Sequence, residues 1–306
     1  MRHALAGLML SMSMGANAAI TQHPGSDAVL PDKQYIHVVS EKISPVMQTW
    51  IKSKDGAYVA SAIRKPKGKG PFPAVIMFHG APGGRGMEQL VGWSRGDHGG
   101  PVWERFLQEG YVVVVADYRG GDGTLMNQPS TTGLVTAIDD GVAVVDFVQN
   151  LPYVKKDEVN VYGVSLGGNL SMYLASKVPS LHAVVVGAPA PIWFLGYDSS
   201  HGWQLDWATV PPNEDVTRTN IEPIQVPILI LVGGLDPFLR LDMTLHDRLV
   251  KYGKTVDMHV YEYGYHDFVL GKQGHVRPDL PHGGEHLMQG SLEALELTVK
   301  FLKQPR

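Results

Sequence analysis

The stretch VNVYGVSLGGNLSMYLAS, residues 159–176, decides how the chain is interpreted. A short apolar run ends in the pentapeptide GVSLG at 163–167, and a helix-compatible segment follows at once. A serine on a sharp turn from a strand to a helix exposes its hydroxyl, and the two glycines keep side chains out of the crowded turn. The same pattern also fits a Ser165 that only caps a helix. The surrounding sequence therefore has to show whether this serine belongs to a catalytic set.

Short apolar runs recur on both sides of this stretch, and helical segments separate them. They are PAVIMFH (73–79), YVVVVADY (111–118), VNVYG (159–163), HAVVVGA (182–188), VPILILVG (226–233) and TVDMHVYE (255–262). Because they are apolar throughout, they indicate strands buried on both faces of a parallel sheet. Upstream, residues 48–66 alternate about a turn at 54–56, which predicts an antiparallel hairpin. The chain is thus predicted to form an α/β sandwich with a mostly parallel central sheet, antiparallel N-terminal strands and helices on both faces.

Two of the helical segments have clear amphipathic patterns. Residues 131–151 carry apolar side chains at helical spacing, and this spacing places Asp139 and Asp140 on the polar side. Residues 290–304 form a second amphipathic pattern, which predicts a helix that closes the chain.

Composition limits the classes of function. The chain has 306 residues, 44% of them apolar, which is enough for one sizeable domain, expected at 45–306. A formal net charge of −4 gives no indication of a nucleic-acid surface. The chain has no cysteine, so disulfides, thiolate catalysis and cysteine-ligated metals are excluded.

The N-terminus has the layout of a secretory signal peptide, expected at residues 1–18. A basic start precedes the apolar stretch 4–14, and small residues follow at 16–18. The apolar stretch is too short for a membrane span, although a frayed helix or an anchor would also fit. We therefore expect export to the periplasm or the medium, with residues 19–44 as an arm before the domain.

Three residue types that suit nucleophilic catalysis occupy predicted strand ends, in the order serine, aspartate, histidine. Ser165 follows the run 159–163, Asp236 follows 226–233, and His266 follows 255–262. A serine hydroxyl needs a histidine base, and that base needs a carboxylate to orient it. Asp267 competes with Asp236 as the acid, and each residue taken alone also fits an ordinary cap or loop position.

The chain resembles the α/β-hydrolases, and more closely the catalytic domains of the prolyl oligopeptidase and dienelactone hydrolase groups. The resemblance is carried by FPAVIMFHGAPGG, GYVVVVADYRGGDG, VYGVSLGGNLSMYLA, PILILVGGLDPF and YGYHDF, which lie between residues 50 and 303. It implies that Ser165 is the nucleophile, Asp236 the orienting acid and His266 the general base. It also implies a reaction that needs no cofactor or metal.

A tetrahedral intermediate needs hydrogen-bond donors for its oxyanion. We expect the backbone N–H of Leu166 to be the first donor. The second should come from the HGAPGG segment at 79–84, where Ala81 N–H is favoured. Gly80 or a side chain remain alternatives for the second donor. Many prolyl oligopeptidase relatives have Gly-Gly-Pro after the histidine, whereas this chain has Gly80-Ala81-Pro82.

Two long connections are candidate substrate loops. Residues 189–225 are expected to form a lid that brings Trp193, Trp203 and Trp207 to the substrate, although these rings would equally bury the insertion against the body. Arg95 is a candidate clamp for a substrate carboxylate or else a solvated loop residue. The loop 271–290 holds three histidines, but two glycines separate His282 from His286, so no metal site is expected there.

Three functions follow as hypotheses. The first is an exported serine esterase that acts on small or aromatic esters, since only 30–50 residues precede the core and no propeller domain is present. The second is a serine aminopeptidase of the prolyl oligopeptidase type, in which Glu214 and Asp215 would capture the substrate's N-terminus. The third is a noncatalytic ligand-binding protein on a hydrolase scaffold. The expected partner is a small ester or short peptide, and the sequence gives no oligomeric state.

Overall fold

The computed structural model describes residues 46–81, 83–94, 102–119, 131–197, 210–270 and 283–305. Within the helices, the side chains of 131–132 and 283–288 are not described. The expected signal peptide at 1–18 and the expected arm at 19–44 lie outside these residues.

Eight strands of the described chain form one sheet. They are β1 (Met47–Lys52), β2 (Tyr58–Arg64), β3 (Phe72–Phe78), β4 (Val112–Ala116), β5 (Val154–Val164), β6 (Val184–Gly187), β7 (Ile228–Gly233) and β8 (Val256–Tyr261). Their spatial order is β1-β2-β4-β3-β5-β6-β7-β8. The pairs β1–β2 and β2–β4 are antiparallel, and the other neighbours are parallel. This confirms the predicted mostly parallel sheet with antiparallel N-terminal strands.

Helices cover both faces of this sheet. The described part of the chain contains α1 (Met87–Ser94), α2 (Val102–Gln108), α3 (Thr131–Gln149), α4 (Leu166–Lys177), α5 (Glu214–Ile221), α6 (Leu239–Lys251) and α7 (Gly283–Leu302). One hydrophobic cluster joins the sheet to α3, α4, α5 and α6, and a second joins its other face to α1, α2 and α7. Along β3, Ile76 belongs to the first cluster and its neighbours Val75 and Met77 to the second, as alternation in a strand requires. Burial on both sides explains why these strands are apolar throughout.

The predicted N-terminal hairpin is present. Met47 pairs with Ile63 and Lys52 with Tyr58, so the strands flank a turn at 53–57. Gly56 adopts φ 88° there, a left-handed conformation that favours glycine. The local turn chemistry was therefore sufficient to predict this element.

Two details of the sequence interpretation are corrected. Asp140 was expected on the polar side of its helix, but its side chain is fully buried and pairs with Arg119, which follows β4. A helical pattern cannot reveal a cation brought in from another element. In addition, α7 begins at Gly283 rather than near 290, so the end of the expected loop 271–290 is helical.

Candidate active site

Ser165 lies on the sharp turn between β5 and α4. Its backbone has φ 55° and ψ −122°, a conformation that is rare for a residue with a side chain. Its N–H donates to Gly187 O at 3.0 Å, which fixes the turn to the neighbouring strand β6. The conformation is strained, and such strain persists at functional sites where the surroundings enforce it.

The glycines around Ser165 are required by close backbone contacts. A Cβ atom added at Gly163 would lie 2.2 Å from Gly167 O, and one added at Gly167 would lie 2.2 Å from Phe78 O. Side chains at either position would therefore force α4 away from the ends of β5 and β3. Tight packing, and not flexibility alone, explains the G-x-S-x-G pattern.

The structure brings Ser165, His266 and Asp236 together from three strand ends. His266 Nε2 lies 2.8 Å from Ser165 Oγ, and His266 Nδ1 lies 2.9 Å from Asp236 Oδ2. Asp236 Oδ1 accepts a second hydrogen bond from Phe238 N–H at 2.8 Å, so both carboxylate oxygens are held. This geometry suits a hydroxyl that gives its proton to Nε2 while Nδ1–H donates to the acid. His266 Nδ1 faces Asp236 rather than the alternative acid Asp267.

The oxyanion candidates lie on either side of Ser165. Leu166 is the first residue of α4, so its N–H has no carbonyl one turn earlier in the helix to bind. Gly80 lies against the nucleophile: a Cβ atom added there would be 3.2 Å from Ser165 Cβ. Ala81, the next residue, borders both cavities that open at Ser165.

A buried carboxylate that sequence reasoning missed organises the loop 79–86. Asp117, which follows β4, accepts hydrogen bonds from the backbone N–H groups of Gly84 at 2.8 Å and Gly86 at 2.9 Å, and from His79 Nε2 at 3.1 Å. Burial alone would raise the pKa of Asp117. Hydrogen bonds from His79, Gly86 and Tyr118 outweigh burial and lower the pKa below its ordinary value.

Two cavities meet at the Ser165–His266 pair. The first, of about 400 Å³, includes polar groups from His79, Arg85 and Gln89 among its lining residues, and we call it the polar cavity. The second, of about 420 Å³, is the apolar cavity. Apart from Ser165 and His266, its lining side chains are all nonpolar or aromatic: Ala81, Leu166, Ala190, Ile192, Trp193 and Phe238. Such a division suits a substrate with one apolar and one more polar group.

One of the four residues predicted to contact the substrate lies within the described part of the chain. Trp193 lines the apolar cavity, whereas Trp203, Trp207 and Arg95 lie outside the described residues. Sequence reasoning missed Arg85 and Phe238. Arg85 Nη2 donates to Ala81 O at 2.6 Å, and the Phe238 ring packs 5.1 Å from that of His266. Arg85 closely follows the predicted oxyanion donor Ala81, and Phe238 closely follows the predicted acid Asp236. This proximity in sequence could have indicated that both lie at the site.

Both described ends of the expected lid are packed against the body of the protein. Phe194 is fully buried and makes an edge contact with Tyr173 at 5.1 Å. Thr217 Oγ1 donates to Leu195 O at 3.0 Å, which joins α5 to the start of the insertion. Residues 198–209 lie outside the described part, so the lid at 189–225 stays a prediction.

A second buried carboxyl group lies near the Asp236 loop. Asp242 in α6 is fully buried, and its Oδ1 accepts a hydrogen bond from Ala190 N–H at 3.2 Å. Burial raises the pKa of Asp242 well above its ordinary value, the charge of Asp236 adds to the rise, and the bond from Ala190 opposes it. Burial of Asp242 therefore favours its protonated form over its carboxylate.

The described side chains contain no group of three or more histidines, cysteines or acids that could hold a metal ion. Of the histidines weighed as ligands, His275 and His282 lie outside the described residues, and the side chain of His286 is not described. No helix within the described ranges is both long and apolar enough to cross a membrane.

Comparison with known proteins identifies similar sequences and folds. A model of the dienelactone hydrolase family matches residues 59–304. Protein usf of Aquifex pyrophilus is 27% identical over 263 residues, which cover 82% of this chain and 95% of that protein. A protein of Aquifex aeolicus strain VF5, named provisionally as a carboxymethylenebutenolidase, is 25% identical over 260 residues, with the same coverage of 82% and 95%.

Similarity of fold extends to peptidases. The acylaminoacyl peptidase of Pyrococcus horikoshii superposes with a TM-score of 0.62 at 14% identity, over 87% of this chain and 42% of that one. The predicted α/β-hydrolase fold is confirmed, together with the resemblance to dienelactone hydrolases and prolyl-peptidase-like proteins.

Proposed function

Because the chain belongs to the dienelactone hydrolase family, we propose that it is a serine hydrolase that cleaves carboxylic esters through an acyl-enzyme. The observation that carries this proposal is the continuous chain of contacts from Ser165 Oγ through His266 to Asp236. Family membership supports a hydrolase, and the contact chain supports serine as its nucleophile.

The proposed reaction has two stages. Ser165 Oγ attacks the ester carbonyl as His266 Nε2 takes its proton, and the tetrahedral intermediate then expels the alcohol, which receives that proton. Water attacks the acyl-enzyme, gives a proton to His266, and releases the carboxylic acid as the proton returns to Ser165. Asp236 keeps the Nδ1–H tautomer in place and stabilises the imidazolium formed at each stage.

The oxyanion of both intermediates would be bound by backbone N–H groups. We propose Leu166 N–H and Ala81 N–H for this role, since the first begins α4 beside the nucleophile and the second lies where both cavities meet. Each such donor is worth about 3 kcal/mol of transition-state stabilisation.

The apolar cavity indicates the substrate class. Among the described side chains that line it, only Ser165, His266 and the Trp193 indole carry hydrogen-bonding groups, and the indole N–H is buried away from solvent. An alkyl or aryl group of the ester would be desolvated there at about 25 cal/mol per Å² of apolar surface. We therefore propose esters with one apolar substituent, and Trp193 and Phe238 as its contacts.

The peptidase alternative receives less support. Glu214, one of the two acids expected to capture a substrate's amino group, is already bound by Arg248 at 2.7 Å and by Lys251 at 3.2 Å. Asp215 pairs with Arg218 at 3.0 Å. A carboxylate with cationic partners attracts a further ammonium group weakly, so this pair does not favour an aminopeptidase.

A paired assay of wild type and Ser165→Ala tests the proposal. We expect nitrophenyl esters to be hydrolysed by wild type, and the variant to lose at least about 10³-fold in kcat. Aminoacyl and dipeptidyl nitroanilides should be much poorer substrates. Ser176→Ala is the control, because Ser176 lies near the end of α4 and borders neither cavity.

Other outcomes of this assay would contradict the proposal in distinct ways. Comparable nitroanilide cleavage would favour the peptidase, whereas full esterase activity in Ser165→Ala would reject Ser165 as the nucleophile. Stoichiometric ligand retention without turnover, and no labelling by a fluorophosphonate, would favour the binding protein.

We also propose that the protein is exported, on the strength of the signal-like residues 1–18. The mass of the mature chain tests this proposal.

A further inference from the structure

The imidazole of His79 faces hydrogen-bond acceptors at both ring nitrogens. Nδ1 lies 2.7 Å from Gly80 O, and Nε2 lies 3.1 Å from Asp117 Oδ1. A carbonyl oxygen can only accept, so Nδ1 must carry a hydrogen. The imidazole therefore donates a hydrogen bond from Nδ1 to Gly80 O.

Both carboxylate oxygens of Asp117 accept hydrogen bonds from the backbone. Its Oδ1 accepts from the backbone N–H groups of Gly84 and Tyr118, each at 2.8 Å, and its Oδ2 accepts from Gly86 N–H at 2.9 Å. Three backbone donors stabilise the ionised carboxylate, in agreement with its lowered pKa. Asp117 is thus held in place by the backbone of the loop that carries His79, and its Oδ1 anchors the Nε2 side of the imidazole at 3.1 Å.

The surroundings of His79 fix the plane of its ring. The imidazole stacks on Tyr118 at 4.8 Å with planes 22° apart, and the Trp93 ring lies 5.0 Å away on a tilted plane. The side chains of His79 and Asp117 are each only 7% exposed. Packing against two aromatic rings therefore holds the imidazole in the orientation that places Nδ1 at Gly80 O.

The acceptor at Nδ1 belongs to the peptide that carries the proposed second oxyanion donor. Gly80 C=O and Ala81 N–H are two ends of one trans peptide group, so they point in opposite directions. With the carbonyl held by His79, the N–H points away from the imidazole. Arg85 holds the next carbonyl, Ala81 O, at 2.6 Å, so both peptide groups that flank Ala81 are fixed.

We propose that His79 aims the Gly80–Ala81 peptide through its Nδ1–H, so that Ala81 N–H points at the oxyanion. This inference rests on the proposed function. His79 is a positioning residue, because it acts through the peptide and does not touch the reacting atoms. Its hydrogen bond to the carbonyl also polarises the peptide, which makes the N–H a stronger donor when charge develops.

The hydrogen bond from Nδ1 is tested on the wild-type protein by NMR of ¹⁵N-labelled histidine. The signals of His79 are assigned by their loss in His79→Phe, or in His79→Gln if the first variant does not fold. We expect Nδ1 to carry a hydrogen. An unprotonated Nδ1 would overturn the proposal.

The positioning role is tested by kinetics. His79→Phe keeps an aromatic ring but no donor, and we expect kcat for nitrophenyl butyrate to fall roughly 10- to 100-fold while KM changes less than about threefold. Affinity for an alkyl boronic acid, which forms a tetrahedral adduct with the serine, should fall by a similar factor. His182→Phe is the control, because His182 bonds Gln304 O near the C-terminus, away from both cavities.

These measurements separate the proposal from the proposed function. If Ser165→Ala abolishes turnover but His79→Phe leaves kcat unchanged, only the role of His79 is wrong. A loss of kcat in His79→Phe without a loss of boronate affinity would also overturn that role. A wild-type protein that neither cleaves esters nor reacts with a fluorophosphonate would overturn both.

Discussion

Asp242 is a fully buried residue in the first turn of α6, six residues after Asp236. Its hydrogen bond from Ala190 N–H joins α6 to a turn in which Ala188 and Ala190 adopt positive φ values of 45° and 43°. These are strained conformations for alanine. Asp242 therefore helps to hold a turn that contributes Ala190 to the apolar cavity.

The raised pKa of Asp242 predicts a specific dependence of stability on pH. The folded pKa lies above the unfolded value of about 3.9, so the folded state retains a proton that the unfolded state has lost. The stability contributed by the protonated acid is complete below that unfolded value. It is lost as pH rises toward the folded pKa, at up to about 1.4 kcal/mol per pH unit.

Asp242→Asn should remove this dependence, because the amide stays neutral and still accepts the bond from Ala190. As pH rises above about 4, we expect the free energy of unfolding of the variant to increase relative to that of wild type, measured by urea denaturation. Asp247→Asn on the same helix is the control, since that side chain is 71% exposed. Parallel pH profiles for wild type and Asp242→Asn would contradict the prediction.

At the scale of elements, Arg119 joins three parts of the fold. It follows β4, its Nη1 binds Asp55 in the hairpin turn at 2.7 Å, and its Nε binds Asp140 of α3 at 2.9 Å. The Asp140 side chain is fully buried, whereas that of Asp55 is 56% exposed. The two carboxylates should therefore contribute unequally to stability.

Asp140→Ala should lower the free energy of unfolding by about 2–3 kcal/mol, because it leaves a partly buried guanidinium with one partner. This loss is smaller than that for a fully buried pair, because Arg119 is partly exposed and still binds Asp55 in the variant. The matched variant Asp55→Ala should lower the free energy of unfolding much less, since solvent screens that pair. Both values come from chemical denaturation, and equal losses would show that burial does not set the difference.

At the scale of the whole molecule, export predicts a shortened mature chain. Cleavage after Ala18 would remove the basic start and the apolar stretch, and the mature protein would begin at Ala19. Expression of the full sequence in a bacterial host, followed by intact mass measurement of the periplasmic fraction, tests this. A full-length chain confined to the cytoplasm would contradict it, and replacing two apolar residues of the stretch 4–14 by lysine should abolish cleavage.

Much of the architecture could be predicted from the sequence. The strands buried on both faces, the hairpin at 54–56 and the turn around Ser165 all follow from local patterns, because burial, turn conformation and backbone crowding each restrict residue types at short range. Ser165, Asp236 and His266 follow the strands β5, β7 and β8, and this made their convergence predictable, since parallel strands end at one edge of a sheet.

Only the tertiary structure decided which polar groups meet away from these strand ends. The pattern of α3 predicted Asp140 on a solvated face. Arg119, which follows β4, forms an ion pair with Asp140 and offsets the cost of burying its carboxylate. Asp117 and His79 likewise lie 38 residues apart, yet together they shape the loop behind Ser165. The division into an apolar and a polar cavity also depends on side chains from several loops. Local patterns record whether a residue is buried along its own element, whereas a partner for a buried charge comes from wherever the fold brings one within hydrogen-bonding distance.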